Sequence, residues 1–199
     1  MRKLFTFAAI AGLALSVVAV SQPKKSANTT LKVDAKQSTF KWTGKKVTGS
    51  HWGYVKFNSG TVNVAGKTFI GAEVTMDMNT IDVQDLQGEY NGKLVGHLKS
   101  DDFFSVANFA TSTLKTKSAT PIKGAKAGSA NYTVVADLTI KGITKEITFP
   151  AQIIITGDKV IANADFAVDR TLWDIKYTGM ADNLISNDFT VTVRVVATK

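Results

Sequence analysis

The chain has 199 residues and contains no cysteine, which excludes a disulfide framework and a thioether-linked lipid anchor. It carries 24 Lys and Arg against 16 Asp and Glu, and nearly all of the basic residues are lysines spread along the chain. Recognition of bases and phosphates favours clustered arginine, so the composition argues against a nucleic-acid partner.

The N-terminal residues have the composition of an export signal. A basic start is followed by an apolar run over residues 4–20 that ends in small residues. We therefore predict a cleaved signal peptide over residues 1–21. The alternative is an uncleaved membrane anchor, although the run is a little shorter than the roughly 20 residues that cross a bilayer. Residues 22–30 are polar and aperiodic, and predict a flexible linker before one domain over residues 31–199.

Most of the domain alternates apolar and polar residues with a period of two, which is typical of half-buried strands. The predicted strands cover residues 38–44, 51–57, 61–64, 69–78, 109–117, 132–140, 143–155, 160–168 and 189–195. Asn58-Ser59-Gly60 predicts a hairpin, and Pro150, which has no amide hydrogen, predicts a bent or unpaired point in its strand. An open sheet of so many antiparallel strands would expose unpaired backbone groups at its two edge strands, and closure into a barrel pairs them. The pattern therefore predicts an all-β, eight-stranded antiparallel barrel, with a sandwich as the alternative.

One helical insert interrupts the strands at residues 82–105. The apolar residues of one predicted helical face recur every four positions, at Leu86, Tyr90, Leu94 and Leu98. We expect Asp82 or Asp85 to cap the start of the helix. A single helix in a β-patterned chain covers one end of a core, and the same helix can also line a ligand cavity beneath it.

The polar residues near the insert suggest structure more than catalysis. His97 lies beside the apolar helical face and is interpreted as a half-buried, hydrogen-bonded residue, with contact to a ligand head group as the alternative. Asp101 follows Ser100 at a turn, where capping is its expected role. His51 and His97 are too far apart in sequence, without cysteine, to predict a zinc site. An enzyme that uses His97 with Asp101 or Asp102 is the catalytic alternative, although no nucleophile elbow, phosphate-binding loop or dinucleotide fingerprint is present.

Four blocks in the same order resemble the YceI-like family of polyisoprenoid-binding, lipocalin-like periplasmic proteins. The most specific block is residues 97–106 (HLKSDDFFSV). The others are residues 33–40 with 53–57, residues 136–145 (ADLTIKGITK) and residues 169–173 (DRTLW). The chain departs from the family pattern at Leu94 and Val95, where an Arg-Asp pair is common. It also departs at Asp169, Trp173 and Asp174, where the family tends to have Asn, Phe and Gly.

The resemblance implies a lipocalin-like barrel, with the helical insert covering or lining an apolar cavity, that binds a long-chain lipid without catalysis or cofactor. The expected ligand is an isoprenoid, such as a quinone precursor, or a fatty-acyl lipid. The missing Arg-Asp pair argues against a pyrophosphate head group. The expected ligand-binding residues are Phe40, Trp42, Phe57, Met76, Met78, Leu94, His97, Leu98, Phe103, Phe104, Leu138, Phe166, Arg170 and Trp173.

The expected setting is the periplasm, with transport, storage or sequestration of the lipid as the role. Transient contact with a membrane surface and a homodimer are expected as further partners. The alternative function is a solidly packed barrel that serves as an envelope stress or interaction module without a lipid. A filled interior and an exposed apolar patch would favour this alternative.

Overall fold

The computed structural model describes residues 27–199. The predicted signal peptide and residues 22–26 of the predicted linker lie outside the described residues. The strands are β1 (Asn28–Val33), β2 (Thr39–Lys46), β3 (Gly49–Tyr54), β4 (Lys56–Ala65), β5 (Thr68–Asp77), β6 (Thr111–Pro121), β7 (Tyr132–Ile140), β8 (Ile143–Thr156), β9 (Lys159–Asp169), β10 (Gly179–Met180) and β11 (Asn183–Thr198). The helix α1 spans Gly88–Lys99. Within residues 27–199, no helix is long and apolar enough to cross a membrane.

Eight antiparallel strands form a closed ring in the order β1, β4, β5, β6, β7, β8, β9 and β11. The ring closes where β11 returns to β1, with Lys32 opposite Thr198 and Val33 opposite Ala197. Outside this ring, β2 pairs with the first part of β11, β3 pairs with β2, and β10 forms a short hairpin with β11. The predicted eight-stranded antiparallel barrel is therefore confirmed. The first strand begins at Asn28, so residues 28–30 of the predicted linker belong to the sheet.

The two ends of the barrel differ in their connections. The lidded end carries α1, the tight β7–β8 turn and the long β9–β11 connection over residues 170–182. The turn end carries the connections β4–β5, β6–β7 and β8–β9, and there both ends of the described chain meet the sheet. This antiparallel topology keeps the helix and the irregular segments on one side of the core.

The helix α1 begins later than the sequence pattern predicts, and no side chain caps its first turn. Asp82 and Asp85 instead accept hydrogen bonds from the backbone amides of Tyr54 and Trp52, at 2.6 and 2.9 Å. These bonds fix the segment before the helix along the free edge of β3. Tyr90, which was expected on the buried face, is 72% exposed. The prediction that Asp82 or Asp85 caps the helix is therefore wrong, and so is the prediction that Tyr90 lies on its buried face.

Two sequence signals within the sheet have different outcomes. Asn58-Ser59-Gly60 lies inside β4, where the register against β5 shifts between Phe57 and Ser59, so the predicted hairpin is a β-bulge. Pro150 lies in β8, whose pairing with β9 begins only at Ala151. Residues 143–150 therefore have no ladder partner on the β9 side, which confirms the prediction for this proline.

The side chains inside the barrel form two apolar clusters. The first lies towards the lidded end and includes Trp42, Leu98, Phe103 and Trp173. The second lies towards the turn end and includes Leu31, Val62, Phe69, Tyr132 and Val160. Several half-buried side chains pack against both clusters: Val33, Leu114, Ile147, Phe166 and Val195. Their residual exposure is the first sign that the space between the clusters is not filled.

Candidate functional site

A cavity lies between the two clusters. Its wall extends from Phe69 to Met78 along β5, roughly 30 Å of extended strand. Its volume is about 140 Å³. Because its lining runs along nearly the whole of β5, a volume of this size makes the cavity long and narrow, and it suits a slender molecule.

No charged residue lines the cavity, and its surface is almost entirely apolar. The side chains come from both clusters and from the half-buried residues between them: Phe40, Trp42, Val55, Phe57, Val62, Phe69, Ala72, Val74, Met76, Met78, Ile81, Phe104, Leu114, Val134, Leu138, Ile140, Phe149, Ala151, Ile153, Ala162, Ala164, Phe166, Val168, Phe189, Val191, Val193 and Val195. Four polar but uncharged side chains lie at its border, Ser112, Thr113, Thr116 and Asn163, and two of them have side-chain hydrogen bonds within the protein. Thr116 accepts from the Ala72 amide at 3.0 Å, and Asn163 donates to Gln152 at 3.0 Å.

The structure brings many of the predicted site residues onto this wall. Those that border the cavity are Phe40, Trp42, Phe57, Met76, Met78, Phe104, Leu138 and Phe166. Their contact with a ligand stays a prediction. The sequence analysis did not include Phe69, Phe149 or Phe189 among site residues, although their strands alternate correctly. Alternation marks an inward face and does not distinguish a cavity wall from a packed core, because both are apolar.

Of the predicted site residues in α1 and the turn after it, only Phe104 borders the cavity. Leu98 and Phe103 are buried in the first cluster, and Leu94 packs against it. Beneath the helix, the segment that contains Met78 and Ile81 forms the end of the cavity wall. Lys99 donates from Nζ to the Asn79 carbonyl at 2.7 Å, which ties the helix to this segment. The helix therefore covers the end of the barrel and does not line the cavity.

His97 belongs to an aromatic cluster outside the cavity. Its Nε2 lies 3.0 Å from a carboxylate oxygen of Asp102, and its ring contacts Phe103 and Tyr177 edge to face, with centroids 4.9 and 4.6 Å apart. The cluster fastens the end of α1 to the β9–β11 connection. This placement confirms the interpretation of a half-buried, hydrogen-bonded histidine.

Arg170 and Trp173 anchor the β9–β11 connection and also lie outside the cavity wall. The Arg170 guanidinium is 4% exposed and donates to the carbonyls of Ser186 at 3.0 Å, Ile175 at 2.6 Å and Ile185 at 3.4 Å. Burial lowers the pKa of Arg170, and the charge of Asp169 opposes this shift. Trp173 is fully buried and donates from Nε1 to the Leu138 carbonyl at 3.1 Å. Arg170, an expected ligand-binding residue, therefore does not border the cavity, because backbone carbonyls surround its guanidinium.

The acidic residues form no catalytic pair. Asp101 accepts a hydrogen bond from Ser105 Oγ, as expected for a turn cap, while Asp102 turns away to His97. Asp85 pairs with His51 at 2.7 Å. Partial burial acts to raise the pKa of Asp85, but hydrogen bonds from the Trp52 amide and from His51 outweigh it and lower that pKa. Across residues 27–199, no three metal-ligating side chains come together, and no proton-transfer group faces the cavity.

The wall is weakest between β8 and β9. Beyond the Ala151–Ala164 pair the ladder stops, and Phe149 and Phe166 lie side by side at that point. On the outside, a groove follows the same position. Its lining residues are Thr39, Gly128, Ala130, Pro150, Gln152, Asn163, Ala164, Asp165, Thr192, Val193 and Arg194. Asn163, Ala164 and Val193 border both the groove and the cavity, so only one layer of backbone separates them.

Solved structures of other proteins share this fold. BcnA of Burkholderia cenocepacia superposes with a TM-score of 0.66 at 20% identity, over 83% of this chain and 99% of that one. A polyisoprenoid binding domain from Saccharophagus degradans, implicated in plant cell wall breakdown, superposes with a TM-score of 0.60 at 14% identity, over 84% and 97%. At these identities the likeness concerns the fold alone.

Sequence comparison gives a short match and a long one. A UPF0312 protein of Staphylococcus aureus strain N315 is 48% identical over 56 residues, which cover 28% of this chain and only 27% of that protein. The model of the YceI-like domain matches residues 31–197, nearly the whole of the barrel. The chain therefore belongs to the YceI-like domain family, as the four sequence blocks predict.

Proposed function

We propose that the barrel binds one long apolar chain of an amphiphilic lipid, without catalysis. The observation that carries this proposal is a long, narrow cavity whose wall contains no charged residue. Apolar transfer contributes about 0.8 kcal/mol per buried CH₂, so about ten methylenes supply roughly 8 kcal/mol before the cost of ordering the chain. Such affinity needs no polar contact inside the barrel.

The polar head group of the ligand lies outside the cavity. Of the four polar border residues, Thr116 and Asn163 have hydrogen-bond partners in the protein, and Ser112 and Thr113 offer only uncharged hydroxyl groups. Within residues 27–199, no positive charge faces inwards. A pyrophosphate drawn into such a wall would lose its hydration without compensation. Isoprenoid and fatty-acyl chains are both slender and apolar enough to fit the cavity. The fold likeness to the polyisoprenoid binding domain from Saccharophagus degradans supports the isoprenoid class.

The lipid chain enters through the side wall between β8 and β9. There the ladder ends, Pro150 offers no amide hydrogen, and the outer groove approaches the cavity. Parting Phe149 from Phe166 breaks an aromatic stack but no backbone hydrogen bond between the two strands. The lidded end is a poorer entrance, because the fully buried Trp173 and the α1 cover occupy it.

The proposed setting is the periplasm, where the protein transports, stores or sequesters its lipid. The export signal expected in residues 1–21 supports this setting. A homodimer stays a prediction. The rival function is an interaction module with a solid interior, and the cavity counts against it. An enzyme is also disfavoured, since His97 is engaged with Asp102 outside the cavity.

Native mass spectrometry of the protein purified from its host without detergent tests the proposal. We expect a stoichiometric extra mass that extracts into organic solvent as an isoprenoid or fatty-acyl compound. An apo mass, together with no uptake of added prenyl or acyl lipids, would refute lipid binding and favour the interaction module.

A cavity-filling variant localises the bound lipid. Met76 lies on the cavity wall and is 6% exposed, so Met76→Trp extends a larger ring into the space. We expect it to lower the bound fraction while the protein remains folded. The matched control is Ile154→Trp on the outer face of β8, where the side chain is 45% exposed. Equal retention in the two folded variants would place the lipid elsewhere.

A further inference from the structure

The two ends of the barrel differ in charge, and the turn end carries an excess of lysines. In and beside the connections of the turn end lie several lysines: Lys67, Lys123, Lys126, Lys159 and Lys199. The acidic side chain among these described connections is Asp158, and it pairs with Lys199 at 2.9 Å. Lys67, Lys123 and Lys126 are exposed and have no carboxylate within salt-bridge distance among the described residues. A local excess of positive charge therefore projects from this end.

The lidded end carries no such excess. The acidic side chains of its connections are Asp82, Asp85, Glu89, Asp101, Asp102, Asp174 and Asp182, and the basic ones are Lys93, Lys99, Lys141, Arg170 and Lys176. The adjoining strand ends add Lys45, Lys46, Lys56 and Lys145 and also Asp77, Glu146 and Asp169. Acidic and basic groups are therefore nearly balanced at this end, and a negative surface would attract the turn end more strongly than the lidded end.

Exposed apolar side chains accompany the positive end. Ile122 begins the β6–β7 connection and is 38% exposed. Ile70 and Ile154 lie on the outer face of strands near the same end and are 43% and 45% exposed. Isolated exposed isoleucines need no explanation alone. Together with surrounding lysines, they match the interfacial layer of a bilayer, which offers both anionic head groups and apolar depth.

The N-terminal part of the chain joins the barrel at this end as well. Asn28 pairs with Ala65 beside the β4–β5 turn. The preceding sequence contains the apolar run of residues 4–20 and the basic pair Lys24-Lys25. The docking surface consists of described residues only, and it does not include this preceding segment.

We propose that the turn end docks onto an anionic bilayer surface, with the lysines of the β4–β5 and β6–β7 connections against the lipid phosphates. The outer groove includes Gly128 and Ala130 of the β6–β7 connection and Pro150 of β8, so it extends from the docking surface to the weak side wall. The docking surface rests on charge and exposure, and it is independent of whether the cavity holds a lipid.

Vesicle binding tests the docking surface. The protein purified from its host is mixed with vesicles of phosphatidylglycerol and phosphatidylcholine, or of phosphatidylcholine alone. We expect binding only to the anionic vesicles, with a steep decline as salt screens the charges. Binding that ignores both salt and lipid charge, or no binding to either vesicle, would overturn the proposal.

Charge reversal identifies the end that binds. The docking variant carries Lys67→Glu, Lys123→Glu and Lys126→Glu. The control carries Lys45→Glu, Lys56→Glu and Lys145→Glu, three exposed lysines towards the lidded end with the same change in net charge. We expect the docking variant to lose at least about tenfold in affinity for anionic vesicles and the control to lose far less. Equal losses would mean that net charge alone drives binding.

Labelling gives an orientation that needs no charge change. Because the chain has no cysteine, Ser129→Cys in the β6–β7 connection and Ala181→Cys at the lidded end each accept one environment-sensitive dye. We expect a blue shift on anionic vesicles at position 129 only. The reverse pattern would overturn the proposal. Native mass spectrometry of the docking variant should show unchanged lipid occupancy, which separates docking from the cavity function.

Discussion

Phe149 of β8 and Phe166 of β9 stack with ring centroids 4.3 Å apart and planes inclined by 15°. They lie just beyond Ala151 and Ala164, the last hydrogen-bonded pair between these strands. Both rings also border the cavity. The contact between two side chains thus closes the wall where the backbone ladder does not.

The first prediction concerns this aromatic closure. Phe166→Ala removes one ring of the stack, which is worth about 0.5–1.5 kcal/mol beyond the apolar area it buries. We expect release of a bound fluorescent fatty acid such as cis-parinaric acid to accelerate by about fivefold or more. Stopped-flow transfer of the probe to excess vesicles measures the rate.

A control separates opening of the wall from enlargement of the cavity. Leu138→Ala also removes cavity-wall volume, but on β7, where the ladders to β6 and β8 are intact. We expect this variant to change affinity with little change in the release rate. Equal acceleration in both variants would show that the chain leaves by another route.

The barrel and most of its strands follow from the sequence because alternation is a local property that the antiparallel sheet preserves, although β1 and β10 are not among the predicted strands. Ala136, Leu138 and Ile140 face inwards as their spacing predicts, although Leu138 and Ile140 border the cavity and Ala136 is fully packed. The hairpin expected at Asn58-Ser59-Gly60 failed because the same residues suit a β-bulge, and only pairing with β5 distinguishes the two.

The candidate site is less predictable from sequence because its boundary depends on tertiary contacts. Leu94 and Leu98 have the spacing of a cavity-facing helix, yet Met78 and Ile81 come between α1 and the cavity. Arg170 was expected to contact a ligand, but its guanidinium donates hydrogen bonds to backbone carbonyls of β11 and of the preceding loop. No local pattern encodes such an environment.

The second prediction concerns Trp173, whose fully buried indole donates to the Leu138 carbonyl. Trp173→Phe keeps most of the apolar packing but removes the donor and leaves a small void. We expect the free energy of unfolding to fall by about 2–3 kcal/mol, measured by urea denaturation. Leu172→Ala, at a neighbouring side chain that is 51% exposed, should change stability by less than about 1 kcal/mol. A loss of the same size in both variants would contradict a specific role for the indole.

The third prediction compares the same substitution at two glycines. A Cβ on Gly53 would overlap the Asp82 carbonyl oxygen, which also accepts the Trp42 indole hydrogen bond. Gly53→Ala should therefore destabilise the protein by about 3 kcal/mol or more, because backbone must move. A Cβ on Gly92 in α1 meets nothing within 4 Å, so Gly92→Ala should stabilise it by about 0.5–1 kcal/mol. Thermal unfolding of the two variants gives both signs, and a stable Gly53→Ala protein would show that β3 and the segment before α1 are not tightly packed.

The fourth prediction concerns the acid dependence of stability through Asp85. Its pKa lies below the ordinary value of 3.8, because the Trp52 amide and His51 stabilise the carboxylate against the opposing effect of burial. A carboxyl whose pKa is lower in the folded state stabilises the fold at every pH above its unfolded pKa. This stabilisation disappears as the pH falls through the folded pKa. Asp85→Asn removes the charge and should lower the stability at neutral pH.

Denaturant unfolding of the wild type and Asp85→Asn across a series of pH values checks this sign. The difference in unfolding free energy should be constant above about pH 5. It should shrink below the unfolded pKa, because protonated Asp85 is then uncharged, as Asn is at every pH. Asp182→Asn, in the exposed turn between β10 and β11, is the control and should leave stability unchanged. A difference that grows on acidification would mean that Asp85 is strained when ionised, and that its bonds to β3 do not hold the segment before α1.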